Sequence, residues 1–482
     1  MSATSDDSAI PSGVPRQQLS LLDSTSIIVG IIIGSAIYSA SPDIAAGAAQ
    51  FADWVTQGRT GVSTSWATQL SLVSLLGVWL LGGLIALVGA MCYAELATAF
   101  PQAGGTYVFL SEAFGRYVGF AFAWAEFWIV RPGNVGAIAF VMARYARELV
   151  MPGMKDGTWL ELLLAVTAIA AITLLNAVGL RAGTWTQNVL TAAKVAGLAA
   201  IVVTAVTLAP AGQSQAMPAK PYATLSLSLI LVMFAYGGWA DMSFVAAEVR
   251  DPARNISRAL ILGTTAVMMI YLLVTLAFVR LLGVRGLAVS DAVAAEVMSL
   301  RLGAWGSTAI SLLVIVSCLG AINGTIFTGA RVYYALGTHH PSFRWLGTWD
   351  ETKGVPLRSL LAQAAATIGL VVSFGLYPGG FDRLVVFTTP FYWGFIALVA
   401  IALIVLRQRG AVGLPGYRVP FYPVAPVVFF LSSSWMVYAA IDYAARNRSW
   451  EALWAVAVIA SGTIAAAFDA RARASLASNA AR

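Results

Sequence analysis

The chain has 482 residues, 59% of them hydrophobic and only 11% charged, with a mean hydropathy of +0.79. No soluble domain of this size needs so much apolar surface for one core, so the sequence reads as an integral membrane protein. Its formal net charge of +7 comes from arginines that flank apolar stretches rather than from a basic stripe, which points to anionic head groups of membrane lipid and away from nucleic acid.

Residues 1–18 hold Asp6, Asp7 and Arg16 and no apolar run after a basic start. They are expected to be a short cytoplasmic, disordered tail rather than a cleavable signal. Apolar stretches of about 18 residues or more can cross the hydrocarbon core. They fall near 20–40, 70–98, 116–149, 159–178, 184–208 and 225–247, then near 256–280, 303–336, 358–376, 382–406, 424–444 and 449–468. Twelve spans put both termini on one side. That side also collects more of the lysines and arginines, so the termini are expected in the cytoplasm. The longest polar connections, roughly 41–69 and 338–357, are too short to bury a core of their own. The first, with Asp53, Trp54, Arg59 and Trp66, is expected outside the cell, as a surface connection or a cap over an entrance. Cys92 and Cys318 fall inside spans, and His339 with His340 gives no metal-site spacing, so no extracellular disulfide, metal or cofactor is expected.

Two spans are broken by glycine: Val29-Gly30-Ile31-Ile32-Ile33-Gly34-Ser35-Ala36-Ile37-Tyr38 in the first, and Phe234-Ala235-Tyr236-Gly237-Gly238-Trp239-Ala240-Asp241 in the sixth. A helix in hydrocarbon pairs its own backbone groups, so loosening at mid-depth is tolerated only where protein or a water-filled cavity surrounds it. Such paired interruptions point to a transporter's substrate site. The N–H groups freed at one half-helix start suit a carboxylate, and the C=O groups freed at the end of the preceding half suit an ammonium. An amino acid carries both.

Three charges lie too deep for casual surface residues. Lys194 sits roughly ten residues inside either end of span 5, on a polar face with Gln187 and Thr191. Arg131 precedes Pro132 in the middle of span 3. Asp241 is either its partner or part of a pocket wall that reads a cationic or hydroxylated side chain. Ser317, Gly320, Gly324 and Thr328 make a small face on span 8. Glu248, Arg250, Asp251 and Arg254, before Arg258, mix signs at a cytoplasmic helix end, as an inner gate or as plain solvated charge.

Further matches recur in fixed order: Gly34-Ser35, Ala94-Glu95-Leu96, Pro101, Gly104-Gly105, Tyr107, Glu112-Ala113-Phe114-Gly115, and Arg131-Pro132. Asn176, Gly179 and Arg181 follow, then Phe234 to Trp239, Glu248, Asp251-Pro252 and Arg254-Asn255. With these the chain resembles the amino acid/polyamine/organocation transporter superfamily, and within it the L-type amino acid transporters. The resemblance implies an all-α membrane fold of 12 transmembrane helices, a LeuT-like five-plus-five inverted repeat with helices 1 and 6 unwound. It divides the chain into a transport core at 19–406, appended spans at 407–470 and a cytoplasmic tail at 471–482.

The resemblance also implies site residues. The N–H groups near Gly34, Ser35 and Ala36 would take the substrate carboxylate, with Ala36 standing where the family usually has glycine. The carbonyls of Ile32, Phe234, Ala235 and Gly237 would take the amine, Phe234 would act as an aromatic gate, and Trp239, Asp241 and Tyr392 would stand around the substrate. Lys194 looks like a replacement for the sodium ion that bridges spans 1, 5 and 8 in other members, reaching carbonyls near Gly30 and hydroxyls on span 8, with Ser317 the best candidate. It either carries a coupled proton or remains a fixed tie.

The function implied is sodium-independent amino acid transport by alternating access, as a proton symporter or an exchanger, in an inner membrane. Residues 150–158 lack the cysteine through which animal relatives join a glycoprotein, so no disulfide-linked heavy subunit is expected. The competing readings are a non-transporting amino acid sensor of the same fold, a carrier of polyamines or other organic amines, and a membrane enzyme. Short tails weigh against the first, and no catalytic set at membrane depth supports the last.

Overall fold

The computed structural model describes residues 14–57, 64–152, 158–208, 224–290, 292–303, 305–376, 380–412, 416–446 and 451–480. Residues 1–13 of the expected tail, 58–63 of the first long connection and 153–157 between spans 3 and 4 lie outside the described residues. Among the described residues the fold is helical, with two isolated β-bridges, Leu19 to Val249 and Asp350 to Val355.

Helix α1 (Leu21–Ile32) starts at a reciprocal cap, in which the Ser20 side chain accepts from Asp23 N–H and the Asp23 carboxylate accepts from Ser20 N–H. After a break come α2 (Ala36–Ser39) and α3 (Ser41–Thr56). This corrects the expectation of a polar connection starting at residue 41. Ile44, Ala45, Ala46, Ala48 and Ala49 are buried, so the first span continues past its break as a second, alanine-rich half. Alanine is only weakly apolar, and a hydropathy window passes over it.

Next come α4 (Thr64–Ala99), α5 (Thr106–Phe114) and α6 (Arg116–Ala125). A π-helical turn at Glu126–Val130 leads into α7 (Arg131–Val150), followed by α8 (Thr158–Val178) and α9 (Leu180–Thr207). The sixth span divides into α10 (Leu225–Ala235) and a 3₁₀ stretch at Trp239–Glu248. It is followed by α11 (Pro252–Val289), α12 (Val293–Leu302), α13 (Trp305–His339), α14 (Leu357–Gly375), α15 (Gly380–Gln408), α16 (Val424–Arg446) and α17 (Glu451–Ala480). Ten segments of the described residues are long and apolar enough to cross a membrane. The α6–α7 stretch is not among them, because Glu126 and Arg131 interrupt it.

The two broken spans pack at the centre, held by α4, α9, α11 and α13. Trp79 on α4 meets Tyr236 and Tyr271 edge-on, with ring centroids 5.9 and 5.3 Å away. On one side of the bundle Gln18 and Leu19 both donate to Glu248 O, Arg250 donates to Leu19 O, and Arg331 clasps the Glu248 carboxylate at 2.7 and 2.8 Å. Glu248 therefore pairs with a buried arginine from α13 rather than with the neighbouring Arg250 or Arg254.

Candidate functional site

Each break exposes main chain. Ile33 leaves the helical region at φ −76°, ψ 85°, and Gly34 N–H turns back onto Ile32 O at 2.8 Å. No acceptor for the N–H groups of Ser35 and Ala36 is found among the described residues. In the sixth span Gly237 N–H turns onto Phe234 O at 3.0 Å, and Gly238 takes a left-handed φ of 106° that only glycine adopts cheaply. A Cβ on Gly238 would lie 2.5 Å from Ile31 Cγ2, so this glycine also lets the two breaks touch.

Between them lies a cavity of about 120 Å³. Of the residues anticipated from sequence, Ile32, Gly34, Ser35, Ala36, Phe234, Ala235, Gly237, Asp241 and Tyr392 line it. Phe234 is 42% exposed, a ring standing at the cavity wall rather than in the core. Trp239 does not line the cavity, which corrects its expected place. The turn at Gly238 sends its ring against Tyr93 and Phe429, at 5.0 and 5.7 Å, and leaves it 2% exposed. Asn134 on α7, Thr325 on α13 and Thr388 on α15 join the wall, although nothing in the sequence singled them out beyond being polar within apolar spans.

The expected ammonium acceptors are not equivalent. Ile32 O already accepts Gly34 N–H, and the Tyr271 hydroxyl on α11 is shared between Ile32 O at 3.0 Å and Ala235 O at 3.3 Å. Phe234 O accepts Gly237 N–H. Among the described residues Gly237 O has no donor. Tyr271 thus ties the two broken spans together, a role without any local sequence signal. Tyr392 O–H accepts Gly238 N–H at 3.1 Å and holds the second break against α15.

Lys194 is fully buried. Its Nζ reaches Gly30 O at 2.8 Å, Ile33 O at 2.8 Å and Ser317 O at 2.9 Å. Three carbonyl acceptors need three N–H donors, which an ammonium has and a neutral amine lacks. Gly320 makes room for it, since a Cβ there would meet Lys194 Nζ at 2.9 Å, while Gly30 makes room for the neighbouring polar face of α9, since a Cβ there would meet Thr191 Oγ1 at 2.5 Å. The contact with Ser317 is to its backbone carbonyl, a correction to the expected hydroxyl. The Ser317 hydroxyl instead donates to Ile33 O and Gly34 O, each at 3.0 Å. Lys194 does not line the cavity; it fixes the main chain behind the first break.

Arg131 lies between two carboxylates, Asp241 at 2.5 Å and Glu126 at 2.5 Å, and also donates to Thr325 O at 3.2 Å. Glu126 escaped sequence reading for a geometric reason. Residues five apart on an α-helix point about 140° away from each other, whereas the π-turn at Glu126–Val130 closes from residue 131 back to residue 126 and brings the two side chains to one side. Thr328 completes the set by donating to Asp241 Oδ2 at 3.2 Å.

An amino acid permease family model matches residues 19–464. The human b(0,+)-type amino acid transporter 1 is 28% identical over 471 residues, covering 95% of this chain and 90% of its own length. The human cystine/glutamate transporter is 27% identical over 428 residues, covering 88% and 80%. The mouse large neutral amino acids transporter small subunit 2 is 28% identical over 375 residues, covering 75% and 66%.

Proposed function

The chain belongs to the amino acid permease family, and on that premise we propose a multi-pass membrane protein that transports amino acids by alternating access, rather than an enzyme or a sensor. One observation carries the reading. Two interrupted helices face one cavity, with N–H groups at Ser35 and Ala36 and a carbonyl at Gly237 that find no partner among the described residues. The N–H pair at the start of α2 receives the carboxylate, and Gly237 O receives the ammonium. Phe234 closes over the bound zwitterion.

The core at 19–406 is read as two inverted halves of five spans, because a broken helix opens each half, with 407–470 appended. Both termini face the cytoplasm of an inner membrane. Transport is sodium-independent, supported by the Lys194 ammonium, which holds the carbonyls of Gly30, Ile33 and Ser317 as a cation would. As a fixed charge Lys194 suits exchange, and as a group that gains and loses a proton it suits symport. A disulfide-linked companion is not part of the reading, since both cysteines of the sequence, Cys92 and Cys318, are buried.

The test is uptake of labelled amino acids into proteoliposomes holding the purified protein, with and without sodium. Saturable accumulation or exchange that ignores sodium is expected. Absence of flux for every amino acid, with binding intact, would replace the transporter by a sensor.

A further inference from the structure

The charges at the cavity wall specify the side chain it accepts, an inference that rests on the transporter reading above. Both protein donors to Asp241, the Arg131 guanidinium and the Thr328 hydroxyl, reach the same oxygen, Oδ2. Among the described residues Oδ1 accepts no hydrogen bond, and Asp241 is one of the residues that line the cavity. Arg131 is shared with Glu126, so with both carboxylates ionised the three groups carry one more negative than positive charge. Lys194 does not redress the balance at the cavity, because its three donors end on main-chain carbonyls behind the break.

An acidic side chain would therefore meet excess negative charge and no unpaired cation among the described residues. An apolar one would strip water from Oδ1 and offer no donor in return. Size narrows the choice further. The cavity of about 120 Å³ is smaller than the roughly 150 Å³ void that admits benzene. Once an amino acid's main chain is seated, room remains for a short side chain, not for those of lysine or arginine. We propose that Asp241 determines specificity: Oδ1 accepts a hydrogen bond from a short side-chain hydroxyl, so that small hydroxyl-bearing amino acids are preferred and acidic ones are refused.

The experiment compares initial uptake of labelled serine, alanine and aspartate in proteoliposomes of the wild type, Asp241→Ala and Asp241→Asn. The wild type is expected to prefer serine to alanine by about tenfold or more, since a site that hydrogen-bonds a hydroxyl rejects the analogue lacking it, and to exclude aspartate. Asp241→Ala should bring the serine-to-alanine ratio near one. In Asp241→Asn, Arg131 claims the amide oxygen, the NH₂ turns to the cavity and the extra negative charge is gone. Aspartate uptake should then rise about tenfold above the wild-type background, a gain that a merely damaged protein cannot produce. A wild type that takes alanine or aspartate as fast as serine overturns the inference, as does an unchanged serine-to-alanine ratio in Asp241→Ala. If no amino acid enters the wild type at all, the transporter reading itself has failed.

Discussion

Lys194 and Arg131 are both buried cations near the centre of the bundle, and the structure neutralises them differently. Arg131 is met by two full charges, Glu126 and Asp241, whereas Lys194 meets only the partial charges of three carbonyls. The arginine's partners come from its own π-turn, from the second broken span and from α13, so it ties three elements together through two full charges. The partners of the lysine come from the loosened end of α1 and from α13, so it joins elements that must move relative to one another if access alternates. Carbonyl dipoles hold an ammonium without locking it in place. The comparison therefore assigns stability chiefly to one cation and transport chiefly to the other.

The sharpest way to break that assignment is Arg131→Met. Two buried carboxylates would lose their counter-charge, and removing one partner of a buried pair typically costs about 3–5 kcal/mol. Loss of monodisperse protein on size exclusion, or a large fall in Tm, is expected. Combining Arg131→Met with Glu126→Gln and Asp241→Asn should restore much of the loss. A single variant as stable as the wild type would show that the triad does not hold the fold.

Lys194→Ala is the counterpart. Removing the ammonium that holds the carbonyls of Gly30, Ile33 and Ser317 should cut uptake by about 100-fold or more. The variant should nonetheless purify as a folded protein, with a smaller fall in Tm than Arg131→Met. Uptake and proton response both unchanged in vesicles would remove Lys194 from the transport cycle.

Tyr271→Phe probes the contact between the breaks. One neutral hydrogen bond shared by Ile32 O and Ala235 O is worth about 1 kcal/mol, so a roughly fivefold loss in transport with near-normal stability is expected. An effect as large as that of Lys194→Ala would move the hinge from the lysine to the tyrosine.

Much of this arrangement was legible in the sequence because its causes are local. Glycine in mid-span marked both breaks, and depth within an apolar run marked Lys194, Arg131 and Asp241. What stayed hidden depends on geometry that a linear pattern does not carry. Glu126 reaches Arg131 only because the helix widens to a π-turn between them. Tyr271 reaches the first break across 239 positions. Alanines disguised α3 as a connection, and a single left-handed glycine turned Trp239 away from the cavity towards α4.

Ser317 offers the finest test, because sequence and structure assign it different atoms. If the hydroxyl received the lysine, Ser317→Ala would leave an N–H of the ammonium unpaired in the core and approach the loss seen for Lys194→Ala. In the structure the lysine bonds the Ser317 backbone carbonyl, which alanine keeps, and the hydroxyl serves only Ile33 O and Gly34 O. Ile33 O retains Lys194 as a donor, so the deletion removes one neutral bond next to the first break. A loss of about threefold in uptake, within the range of a single such bond, and an unchanged pH profile are expected. A near-complete loss would place the ammonium on the hydroxyl and make the tie depend on a side chain rather than on main chain alone.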